Sequence, residues 1–88
     1  MRAGLAGMNG FNTRVEYRGS VYIVQTQDKG PASPYVESLI YRSGRLLTSK
    51  RMSYVPSLDS PDIRSVIERL MEDQHKRILE EIVEGKFA

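Results

Sequence analysis

The sequence has no cysteine, no tryptophan and a single histidine among its 88 residues. Without cysteine there is no disulfide, thiolate metal site, iron–sulfur cluster or cysteine nucleophile. No apolar run approaches the roughly 20 residues that a membrane helix needs. The opening Met1-Arg2-Ala3-Gly4-Leu5-Ala6-Gly7 lacks the apolar core of a signal peptide, so a cytoplasmic setting is the expectation. What is present is ordinary for a folded chain: 40% apolar residues, 27% charged and a net charge of +2. This length accommodates one domain.

Residues 1–10 carry three glycines and no apolar period, and read as a mobile tail. Residues 11–88 read as a single α+β domain. Its first part is rich in Tyr, Val, Ile and Thr with period-two alternation, the mark of strands. Four are expected, at about 11–17, 20–27, 35–42 and 45–53. Arg18-Gly19 and Ser43-Gly44 are tight turns, because glycine accepts the positive φ that hairpins require. The first hairpin pairs Val15 with Tyr22 and Thr13 with Val24. The second is expected to pair Ile40 with Leu47 and Glu37 with Lys50. Between the hairpins, Asp28 to Pro34 forms a loop stiffened by two prolines.

A helix is expected at about 61–84, after a linker at 55–60. Ser60 suits the N-cap, Pro61 the first helical position, and Asp62 the positive end of the helix dipole. Apolar residues recur at Ile63, Val66, Ile67, Leu70, Met71, Ile78, Leu79, Ile82 and Val83, the spacing of one buried stripe. Gly85 fits the position just past the end. The expected architecture is a four-stranded antiparallel β-meander with one long C-terminal α-helix on one face, in ββββα order.

One helix covers one sheet face, yet both faces of these strands carry apolar residues. Val21 and Ile23 lie behind Tyr22 and Val24. In the second hairpin, Val36, Ile40 and Leu47 are expected on the same uncovered side, opposite Tyr35, Leu39, Tyr41, Leu46 and Met52. A solvated face should read polar, so Val21, Ile23, Val36, Ile40 and Leu47 are the candidate protein interface. The apolar stripe also drifts round the helix, as if its C-terminal half packed on something else. A homodimer or a tight protein complex is expected. The plainer alternative is that the loop and tail cover the second face.

Charge is uneven. Residues 1–58 hold eight Lys and Arg against three acids; residues 59–88 hold five against eight. Such blocks can steer an acidic partner or pair with each other. Arg42, Arg45, Lys50 and Arg51 cluster round the second hairpin, as a candidate anion or nucleic-acid contact or as a solubilising tip. Arg42 and Arg45 face each other across the turn, which is unfavourable unless a carboxylate or anion joins them.

Catalytic chemistry is sparse. Glu72 and His75 share the Glu-x-x-His spacing of helical di-iron sites, but those sites draw further carboxylates from other helices. Asp59 and Asp62 are explained by capping, Ser57 and Ser60 have no nearby base, and no phosphate loop occurs. No catalytic residue, metal ligand or cofactor is therefore assigned. Nucleic acid is the stronger alternative. Five tyrosines could stack bases while arginines read phosphates, and a meander followed by a long helix is the element order of the positive-cofactor-4-like and Whirly single-strand DNA-binding proteins. A net charge of +2 is modest for that role.

The run Phe11-Asn12-Thr13-x-Val15-x-Tyr17-x-Gly19, then Tyr22-x-Val24-Gln25-Thr26-x-Asp28-x-Gly30, resembles the opening of a group of small bacterial proteins. Ser49-Lys50-x-x-x-Tyr54 and Met71-x-x-Gln74-His75-x-x-x-Leu79 are similar to their second half. The resemblance spans roughly residues 11–87 and carries no activity, substrate or cofactor with it. It singles out Gln25, Thr26, Asp28, Gln74 and His75 as shared polar positions. From these a structural network is expected across the core, with Gln25 or Thr26 bonded to Gln74 or His75. The leading expectation is a small, non-catalytic interaction or adaptor module, homodimeric and protein-binding. The alternative is a single-stranded nucleic-acid binder.

Overall fold

The computed structural model describes residues 10–88. Residues 1–9 of the expected tail lie outside the described residues; Gly10 already belongs to the first strand. Strands β1 (Gly10–Tyr17), β2 (Ser20–Asp28), β3 (Tyr35–Arg42) and β4 (Arg45–Ser53) form one antiparallel sheet in the order β1-β2-β3-β4. A 3-10 turn over Val55–Ser57 leads to helix α1 (Ile63–Val83), which packs on one sheet face. This is the expected ββββα meander.

Both hairpins turn on two successive residues with positive φ: Arg18 at 51° and Gly19 at 83°, then Ser43 at 52° and Gly44 at 84°. That pair of angles makes a type I′ turn, whose twist matches the strands it joins. In the first hairpin Val15 lies opposite Tyr22 and Thr13 opposite Val24, the register the alternation gives. The second hairpin differs. Arg42 faces Arg45 and Tyr41 faces Leu46, but Ile40 then faces Thr48. Leu47 is the extra residue of a β-bulge, which shifts every later pair by one. The expected Ile40–Leu47 and Glu37–Lys50 pairs do not form; Glu37 faces Arg51 and Ser38 faces Lys50.

The β2–β3 register decides which residues are covered. Val24 lies opposite Ile40, and Asp28 opposite Val36. Opposite residues share a face, so Val36 and Ile40 lie with Val24 under α1. Both are 0% exposed and belong to the core. They are not available to a partner, contrary to the expected interface. The six-residue connection leaves this register unreadable from alternation, and both faces of β3 are apolar. Leu47 sits on the edge strand, 37% exposed.

Helix α1 lies over β1, β2 and β3, and reaches the exposed β4 only through side chains such as Gln74 and Glu81. Its C-terminal half packs on its own sheet: Ile78 and Ile82 bury against Tyr22, Val24 and Ile40. No outside partner is needed to explain the drifting stripe. Each of these isoleucines contributes roughly 1.5–3 kcal/mol by leaving water. The helix starts at Ile63 rather than at 61. Ser60 Oγ accepts from the Asp62 amide at 3.2 Å, and the Ser60 carbonyl from Ile63 N–H at 3.2 Å, so Ser60 closes a turn before the helix. At the far end Gly85 has φ of 80°. Gly85 N–H reaches the Ile82 carbonyl and Lys86 N–H the Glu81 carbonyl, both at 3.0 Å. This is a Schellman motif.

Candidate functional site

A row of polar side chains crosses the interface between helix and sheet. His75, 6% exposed, projects from α1. Its Nε2 is 2.9 Å from Thr13 Oγ1 on β1, and its Nδ1 is 2.8 Å from Thr26 Oγ1 on β2. Thr26 bonds Ser38 Oγ on β3 at 2.5 Å. Gln74 Nε2, also on α1, donates to Ser38 Oγ at 2.9 Å and to the Lys50 carbonyl of β4 at 3.3 Å. One connected chain thus touches all four strands. No buried side-chain nitrogen or oxygen among the described residues lacks a partner.

This row divides the apolar core in two. On one side are Tyr22, Val24, Ile40, Ile78 and Ile82. On the other are Val36, Tyr54 and Met71. Burial holds the His75 pKa below its ordinary value, because the charged imidazolium would lose its hydration there. The Phe11 ring, 5.4 Å away, closes one side of the imidazole.

The sequence places Thr26, Gln74 and His75 in a network, and the structure joins all three. Gln25 is not a member: it points to the opposite face, since alternate strand residues do so. Thr13 and Ser38 complete the row without belonging to the expected network. Their signal is a hydroxyl recurring in phase with the buried residues of β1 and β3.

The four basic candidates do not converge. Arg42 donates to the Phe87 carbonyl at 2.8 Å, which answers the repulsion from Arg45 opposite. Lys50 lies 3.4 Å from Glu81 on the helix side. Arg51 lies on the other side, 3.1 Å from Glu37 and stacked at 4.8 Å over the Tyr35 ring. Of the five tyrosines, Tyr22 and Tyr54 are 2% exposed and Tyr17 packs against the core. Tyr35 and Tyr41 remain on the uncovered face.

That face has an apolar centre and a polar rim. Val21 and Ile23 of β2 adjoin Leu39 and Tyr41 of β3 and Leu46 of β4, with Ile23 opposite Tyr41 and Tyr41 opposite Leu46. Leu46 is 56% exposed. A shallow depression of about 230 Å³ opens among Val21, Ile23, Gln25, Tyr41 and Gly44. Round it run ion pairs: Arg14–Glu16 at 3.1 Å, Glu37–Arg51 at 3.1 Å and Glu37–Lys29 at 3.8 Å.

A second cavity, of about 420 Å³, lies on the helix side. Asp28 and Tyr54 form part of its wall. Tyr54 Oη donates to Asp28 Oδ1 at 2.7 Å, and Gly30 N–H donates to the same oxygen at 2.8 Å. The Tyr54 pKa is pushed up to about 12, first by burial and then by the bond to Asp28.

Among the described residues, no group of His, Asp and Glu is arranged to hold a metal ion. No helix there is long and apolar enough to cross a membrane. No protein-family model, curated protein or solved structure matches the chain.

Proposed function

We propose that this protein is a small, non-catalytic interaction module that docks through the uncovered face of its sheet, with a second copy of itself as the occupant. The observation that carries the reading is the patch of Val21, Ile23, Leu39, Tyr41 and Leu46, which nothing else among the described residues covers. An apolar centre inside a polar rim is the anatomy of a protein interface.

Self-association is favoured by the charges. Those on this face are mixed in sign and joined in ion pairs, Arg14 to Glu16 and both Lys29 and Arg51 to Glu37, so an identical face meets no block of one charge. A two-fold contact requires such self-complementarity. The sheet edge is a poorer surface: Arg45, Lys50, Arg51 and the bulge at Leu47 are devices that discourage strand pairing. Four strands of about eight residues present roughly 500 Å² in projection. That is toward the small end for specific interfaces, so the dimer should dissociate on dilution.

The test is light scattering on a size-exclusion column, across protein concentration and salt. A mass near twice 10.0 kDa that survives high salt is the expected result. Ile23→Glu and Leu46→Glu should return it to the monomer with the helical circular dichroism unchanged. A monomer at every concentration overturns the reading. Single-strand binding is the second reading, supported by Arg51 stacked on Tyr35, with Tyr41 on the same face at the far end of β3. Its sign would be affinity for an oligonucleotide that falls steeply with salt.

A further inference from the structure

The cavity on the helix side lies away from the docking face, and its chemistry is of a different kind. Its volume, about 420 Å³, is that of a small-molecule site rather than a packing defect. Pro31, Leu58, Ile63, Ile67 and Met71 supply apolar walls from the β2–β3 loop, the segment after β4 and the first half of α1. Three separate parts of the chain thus meet round one hollow.

The polar groups in it are few and unequal. Tyr54 Oη is committed to Asp28, and the Gly30 amide is committed to the same oxygen. These two donors hold the carboxylate in place. Both bonds end on Oδ1, which leaves Oδ2 as an acceptor. Arg64 and Glu68, four apart on α1, bring one charge of each sign to the wall. The fixed polar feature of the hollow is therefore one anionic acceptor beside apolar walls. A ligand that fits must bring a donor, a positive charge and a compact apolar body.

We infer that the hollow between Asp28 and the first half of α1 is a binding site for a small primary amine, with its ammonium on Asp28 and its apolar body against Leu58, Ile67 and Met71. The inference is independent of dimerisation through the other face.

The experiment is a titration of the ¹⁵N-labelled full chain with phenethylamine, followed by amide shifts. 2-Phenylethanol, close in shape but neutral, is the paired probe. Saturable shifts are expected round Asp28, Leu58 and Ile67, with a Kd of roughly 0.1–1 mM for a ligand of this size. The alcohol should bind about tenfold more weakly, and Asp28→Asn should weaken the amine by a similar factor. Because Asp28→Asn also removes a charged acceptor from Tyr54, the comparison of amine with alcohol on the unaltered chain decides if that variant misfolds. Equal affinity for amine and alcohol, shifts centred elsewhere, or none up to 10-fold above the expected Kd would each overturn the proposal.

Discussion

Thr26 of β2 and His75 of α1, 49 residues apart, meet at 2.8 Å through the histidine Nδ1. The direction of that bond follows from its neighbours. Gln74 Nε2 contacts the Lys50 carbonyl, which only accepts, so this end of the amide is the donor. It also donates to Ser38. If each hydroxyl passes its own proton onward, Ser38 donates to Thr26, Thr26 to Nδ1, and Nε2–H to Thr13.

Long-range ¹H–¹⁵N spectra should accordingly show His75 as the neutral tautomer protonated at Nε2. Replacing His75 with alanine strips Thr13 and Thr26 of a partner and opens a void. Denaturant unfolding should show a loss of about 2–4 kcal/mol. A loss below about 1 kcal/mol would mean the row contributes little to stability.

Acid should weaken the fold through the same side chain. The folded-state pKa of His75 is lowered by burial, so below about 6.5 the unfolded chain binds a proton that the folded chain refuses. Stability is then complete above that pH and declines as pH falls toward the lowered folded value. The slope from this one group is at most about 1.4 kcal/mol per pH unit. Unfolding curves between pH 8 and 5 should show the decline, and His75→Gln should flatten it.

Ile40 and Leu47 should separate core from surface. Ile40 is 0% exposed and Leu47 37%. Ile40→Ala should cost about 2–5 kcal/mol, whereas Leu47→Ala should stay within about 0.5 kcal/mol. Similar costs for the two would argue for the unbulged register, in which they lie opposite one another.

Gly85→Ala should be unfavourable for two reasons. The residue has φ of 80°, and an added Cβ would come within 3.2 Å of the Tyr17 hydroxyl. A loss of about 1–2 kcal/mol in thermal or denaturant unfolding is expected, with fraying at the helix C-terminus.

The parts of the fold legible in sequence were those decided locally. Arg18-Gly19 and Ser43-Gly44 set their own turns, and Gly85 its own helix end. The first hairpin register followed because Phe11, Val15, Tyr22 and Val24 agree on one side. The side of β3 that is buried was not legible. Its two faces are similarly apolar, and the choice rests on Val24 meeting Ile40 across a six-residue loop. The bulge at Leu47 was hidden because Leu46-Leu47 offers an apolar residue to either phase. Of the polar row, Gln74 and His75 were visible as misfits on an apolar stripe. Thr13 and Ser38 were not, since a small hydroxyl in a strand reads equally well as a surface residue.

Because α1 follows all four strands, the sheet is made before its cover. The last strand is complete at Ser53, and Val83 ends the helix 30 residues later. At about 5–20 residues per second a ribosome needs roughly 2–6 s to supply it. Throughout that interval Tyr22, Val24 and Ile40 have no lid. Residues 1–58 carry eight cations against three acids, and a net charge of one sign opposes the association of such uncovered chains.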